Sequence, residues 1–135
     1  MIELSYDEFE GLVAEALNQL PDKFRELMAN VAVTIVDQAT VEQLKRQHIG
    51  NPLSLFGLYE GVPQSQRGLG YSGVLPDRIS IFKKSIENSA VSPDDVRKMV
   101  SDTVWHEVAH HFGMDERTVR KAEARRRKLP ASPNA

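Results

Sequence analysis

"SPDDVRKMVSDTVWHEVAHHFG", Ser92 to Gly113, is the stretch from which the rest of the chain can be read outward. It opens with the strongest helix-start signal in the sequence: Ser92 as N-cap, Pro93 at the first helical position, and Asp94 and Asp95 in the first turn, where carboxylates complement the helix dipole. It closes on Gly113, the residue type that most easily takes the left-handed conformation ending a helix. The spacing predicts one helix over 93–112. Between Val104 and Phe112 every position other than His106, Glu107, His110 and His111 is apolar. That end of the helix is therefore expected inside the protein, with a polar stripe opening onto a cleft.

The stripe spells H-E-x-x-H. Each helical residue advances about 100°, so His106 and His110 stand one above the other with Glu107 beside them. Two imidazoles on one face can share a metal ion, and a catalytic zinc takes three protein ligands, leaving a fourth position for water. Glu107 is then placed to accept a proton from that water. A third ligand has to come from elsewhere. In the longer pattern H-E-x-x-H-x-x-G-x-x-H the glycine turns the chain back so that a third histidine closes the site. Here Gly113 is kept and the closing position is Glu116, whose carboxylate can serve as an oxygen ligand. Asp115 is the alternative, although it also suits the N-cap of a following helix, and Glu123 is a more distant candidate. His111 points about 100° away from His110, which suits packing or support of a ligand. Asp102, one turn before His106, is positioned to orient that imidazole. Tyr59, Tyr71 and Arg78 are the candidates for polarising a substrate carbonyl, and His48 reads as a surface histidine.

Upstream, Ser5 followed by Glu8 forms a capping box, and Phe9, Leu12, Val13, Ala16, Leu17 and Leu20 recur at helical spacing, predicting a helix over 6–20. Pro21 starts a second helix at its own first position, carrying Phe24, Leu27 and Met28. The β-branched run VAVTIVD, Val31 to Asp37, is the clearest strand. Residues 41–49 predict a short helix ended by Gly50, and Asn51-Pro52 a turn. SLFGLYEGVP, ending at Pro63, reads as an extended segment weakened by its glycines, 64–76 as a surface loop, and RISIFKKS, Arg78 to Ser85, as a third strand.

Composition narrows the classes. The 135 residues suit one domain with one core, and 41% hydrophobic with 27% charged residues is too apolar for a disordered chain. Cysteine is absent, which excludes disulfides, thiolate ligands and a cysteine nucleophile, so a transition metal would rest on His, Asp or Glu. The acidic opening MIELSYDEFEG lacks the basic and apolar regions of a signal peptide, and no apolar run is long enough to span a membrane. A soluble cytoplasmic protein without membrane partners is expected, with a monomer as the default. Net charge is −2, yet Asp115 to Pro130 holds seven basic residues against three acidic ones. No aromatic residue interleaves those charges and Glu123 interrupts them, so a solvated tail is expected there and not a nucleic-acid surface.

HEVAHHFGMDE, His106 to Glu116, together with GLYEGVP (Gly57 to Pro63), LPDRISIFKKSIE (Leu75 to Glu87) and the Phe9 to Val33 block, resembles a bacterial family of minimal zincin-like metallopeptidases. The likeness extends over nearly all of residues 5–120. It implies an α+β fold in which a small mixed β-sheet packs against an N-terminal helix and the HExxH helix. It also implies His106 and His110 as zinc ligands, Glu107 as general base, and an acidic residue at 115 or 116 as third ligand. The expected layout is a zincin-like domain over 1–123 and a basic, disordered tail over 124–135. The expected activity is zinc-dependent hydrolysis of a peptide or protein substrate, with the strand at Leu55–Gly61 or Ile79–Phe82 as the edge along which substrate lies. The alternative is a metal-binding or interaction protein that keeps the site with little or no turnover.

Overall fold

Ser5 begins the first element as a capping residue. Its hydroxyl accepts from the Glu8 N–H at 3.1 Å, and the Glu8 carboxylate accepts from the Ser5 N–H at 3.2 Å, closing both ends of the box. Helix α1, Tyr6–Asn18, follows and buries Phe9, Val13 and Ala16 along one face. This is the architecture of a computed structural model that describes residues 2–28, 31–61 and 77–111. Helix α2 covers Asp22–Leu27, with Pro21 as its cap one position earlier than expected.

Strand β1, Val31–Val36, and helix α3, Val41–Arg46, come next. The expected stop at Gly50 is not the one used. Gln47 ends α3, the Ile49 N–H donates to the Leu44 carbonyl at 2.9 Å and the His48 N–H to the Lys45 carbonyl at 3.1 Å. His48 itself takes a φ of 57°. These are the bonds of a Schellman closure, with a histidine in the left-handed position that glycine usually fills. The predicted turn at Asn51-Pro52 is a single 3-10 turn, Pro52–Ser54.

Strand β2, Gly57–Glu60, and strand β3, Asp77–Phe82, complete a three-stranded sheet in the order β1-β3-β2. β3 is central, parallel to β1 (Val33 opposite Ile79) and antiparallel to β2 (Tyr59 opposite Ile79). Two expectations change here. Ile79–Phe82 cannot be a substrate edge, because both sides of β3 are paired. The strand also stops at Phe82, and Lys83–Ser89 form helix α4. The alternation read through Ser85 failed because Ile79, Ser80, Ile81 and Phe82 are all buried, so β3 is covered on both faces. From there Lys83 and Glu87, one helical turn apart, pair at 2.9 Å in the interior.

Helix α5, Pro93–His111, starts as expected: the Asp95 N–H donates to Ser92 Oγ at 3.1 Å, and the Asp95 carboxylate accepts from the Val91 N–H at 2.9 Å. Its expected end at Gly113 lies outside the described residues. Val96, Val100, Val104 and Val108, each four residues on, form a continuous buried stripe in the same cluster as Phe9, Val13, Ile79 and Ile81. Burying a valine stabilises by about 1.5–3 kcal/mol, so this stripe is the main fastening between α5, α1 and the sheet. The fold is thus the α+β arrangement expected, with a small mixed sheet against the N-terminal and HExxH helices. Among the described residues no helix is long and apolar enough to cross a membrane.

Candidate metal centre

In its last two turns α5 is buried almost all round: Thr103, Val104, Trp105, Glu107, Val108 and Ala109 are shielded, while His106 and His110 are half-exposed. The two imidazole rings sit 4.4 Å apart between centroids, inclined at 65°. Glu107 lies on the side facing the sheet. Donor atoms of His106, Glu107 and His110 all fall within 4.8 Å of one another, and Glu107 Oε1 is 3.8 Å from His110 Nδ1. The polar stripe opens onto a cleft of about 350 Å³ between this helix and residues 55–57, lined also by Asp102 and Thr103.

The strand opposite supplies the second side of the site. The Phe82 N–H donates to the Phe56 carbonyl at 2.8 Å, and bonded pairs alternate along an antiparallel ladder. Gly57 opposite Ile81 and Tyr59 opposite Ile79 are therefore the non-bonded pairs, so their N–H and C=O groups point to the outer edge of β2. There the Tyr59 N–H donates to Glu107 Oε1 at 2.8 Å. Close approach is what permits this bond. A Cβ on Gly57 would fall 2.5 Å from Thr103 Cγ2 and 3.3 Å from both Glu107 Cγ and the Ser80 carbonyl oxygen.

Sequence reasoning placed His106, Glu107 and His110 together, and the structure brings them together. Asp102 lines the same cleft. Tyr59 has a different place from the one expected: its hydroxyl donates to Asp77 Oδ2 at 2.9 Å, at the start of β3, and its backbone is what meets the site. Arg78 is directed to Glu60, at 3.8 Å, and does not line the cleft. His48 is exposed, as expected of a surface histidine. Tyr71, Asp115, Glu116 and Glu123, the side chain of His111, and the tail over 124–135 lie outside the described residues. What sequence reasoning missed is Gly57, Thr103 and the Tyr59 amide. The one signal available was the glycine inside an otherwise strand-forming segment, which often marks close backbone approach.

The sequence profile describing zincin-like metallopeptidases matches residues 28–126, from the end of α2 through the whole HExxH helix. The chain belongs to the zincin-like metallopeptidase family. Among solved structures it is similar to a conserved hypothetical protein from T. thermophilus, with 22% sequence identity, a TM-score of 0.55, and coverage of 81% of this chain and 94% of that one. That likeness speaks to the fold alone. No curated protein matches the sequence. Membership of the zincin-like family implies a metal, typically zinc, and among the described residues His106, Glu107 and His110 are the cluster with the donors to meet it. The fit is chemical as well as spatial: imidazole nitrogens and carboxylate oxygens are donors zinc accepts, and two half-exposed histidines, His106 of them on the cleft, leave room for water.

Proposed function

We propose that this zincin-like protein is a zinc-dependent peptidase or closely related amide hydrolase, with His106 and His110 as ligands and Glu107 as general base. The third ligand is proposed to be Glu116, three residues beyond Gly113, with Asp115 as the alternative. The observation that carries this reading is the clustering of two imidazoles and one shielded carboxylate, with His106 and Glu107 lining a cleft beside the outer edge of a strand.

Zinc, when bound, would polarise the scissile carbonyl and lower the pKa of its water toward neutrality. Glu107 is held through Oε1 by the Tyr59 amide, and an oxygen of this carboxylate takes the proton of the attacking water. The same oxygen then delivers that proton to the departing amine nitrogen, so the carboxylate ends as it began. An extended substrate is proposed to lie along β2, whose outward-facing Gly57 N–H and C=O can continue the sheet by one strand.

Two measurements test the reading. Protein purified without added zinc should carry equimolar metal, and His110→Ala should lose it; equimolar retention by the variant would sink the site. On a peptide library Glu107→Gln should lower hydrolysis by about 10²-fold or more, as expected for a missing general base. Undiminished hydrolysis would trace the activity to a contaminant and leave a metal-binding protein without turnover.

A further inference from the structure

Glu107 has two possible fates once a metal sits between His106 and His110. Its carboxylate lies within 4.8 Å of the donor atoms of both histidines, close enough to become a third ligand instead of a base. Helix geometry does not choose between these fates, because a glutamate side chain has three rotatable bonds. The neighbouring strand does. The Tyr59 N–H, 48 residues away in the chain, holds Oε1 at 2.8 Å, and a hydrogen bond to a carboxylate is among the stronger ones available.

We propose that the Gly57–Tyr59 edge of β2 is a positioning element that holds Glu107 as a base and keeps it from serving as a metal ligand. The proposal rests on the zinc-hydrolase reading above. Two features make the edge suited to this role. The Tyr59 N–H belongs to a non-bonded pair of the ladder, so donating it to Glu107 costs the sheet nothing. Gly57 lets the strand come close enough, since the Cβ of any other residue would meet Thr103 Cγ2 at 2.5 Å. Thr103 is buried, which leaves that methyl little room to move, and the Ser80 carbonyl oxygen, a backbone atom, would lie 3.3 Å from the same Cβ. Gly57 and Tyr59 act through Glu107 and are positioning residues, with the Tyr59 contribution made by its backbone.

The test is a cycle on metal affinity and on the visible spectrum of the cobalt-substituted protein, which reports ligand number. Glu107→Ala is measured in three backgrounds: wild type, Tyr59→Pro and Tyr59→Ala. Proline removes the N–H without touching a ladder bond, and alanine removes the hydroxyl contact to Asp77 while keeping the N–H. In wild type and Tyr59→Ala, losing Glu107 should change zinc affinity by less than about threefold and leave the cobalt spectrum unchanged. In Tyr59→Pro the released carboxylate joins the metal, so losing Glu107 should cost about 10–100-fold in affinity and reduce the ligand number seen by cobalt. Gly57→Ala should behave as Tyr59→Pro does. Equal Glu107 dependence in all backgrounds overturns the positioning role.

A measurement on metal-free protein stands apart from how those variants fold. With only three tyrosines, [15N]tyrosine labelling gives at most three backbone amide signals, and Glu107→Ala should speed exchange of the Tyr59 amide by about tenfold, the worth of one hydrogen bond to a charged group. An unchanged exchange rate overturns the proposal. Failure of wild-type protein to bind zinc would instead remove the hydrolase reading, and the exchange result would still stand or fall on its own.

Discussion

Lys83 and Glu87 face each other inside the protein at 2.9 Å, with side chains 9% and 3% exposed, and Glu87 Oε2 also accepts the Leu4 N–H at 2.7 Å. One carboxylate oxygen thus ties α4 to the segment entering α1. Removing it strands a buried ammonium and an amide together, so Glu87→Ala should cost about 3–5 kcal/mol, read from urea unfolding, while replacing the pair by Lys83→Met with Glu87→Leu should recover most of that. A loss below about 1 kcal/mol for the single variant would mean the pair behaves as a solvated one. Nearby, the Tyr6 hydroxyl donates to Asp37, and this bond, with a smaller effect of burial and of the Asp37 and Glu87 charges, raises the Tyr6 pKa above its ordinary value. A raised phenol favours the protonated folded state. Its contribution is complete below the unfolded value of about 10 and is lost as pH rises through the higher folded value. Wild-type protein should therefore lose more stability above about pH 10 than Tyr6→Phe does, and parallel curves would refute the coupling. Of these residues only the Ser5–Glu8 pair was legible in the sequence, because both partners lie within one turn. Lys83 was hidden at the tail of a segment read as strand, Arg78 to Ser85, and Glu87 lay two residues beyond its end.

Elements carried the clearest sequence signals where the signal was local. α1 and α5 announced themselves through capping residues and apolar periodicity, and β1 through its β-branched run. α3 was found but its end was misplaced. Gly50 offered an obvious stop, yet the Schellman bonds close two residues earlier with His48 at a φ of 57°. A non-glycine residue in that conformation costs about 1 kcal/mol, so His48→Gly should raise stability by about that amount in urea unfolding. No gain, or a loss, would show that the histidine side chain contributes something the backbone argument omits. α4 was missed outright. Its strand-like reading came from Ile79 and Ile81, but the alternation is a property of a half-covered strand, and β3 lies at the centre of the sheet with Ser80 and Phe82 buried as well.

At the scale of the whole molecule, the proposed metal site would also act as a fastening, since both histidines stand on the helix whose valine stripe anchors the core. A ligand that binds only the folded state stabilises by mass action, about 2.7 kcal/mol at a free concentration of 100 Kd. Added zinc should therefore raise Tm in wild-type protein and not in His106→Ala or His110→Ala, with chelator reversing the rise. A rise that survives either substitution would place the binding elsewhere. By itself the sequence determined the α+β class, the capped helices, and the mutual placement of His106, Glu107 and His110, because helix geometry fixes neighbours three and four residues apart whatever surrounds them. Only the tertiary structure decided that β3 is central, that β2 offers the edge, and that Gly57 must lack a side chain for the Tyr59 amide to reach Glu107. Those facts join residues about fifty positions apart. Spacing in the chain carries no record of such contacts, which are chosen by packing free energy when the valine stripe of α5 settles against the sheet.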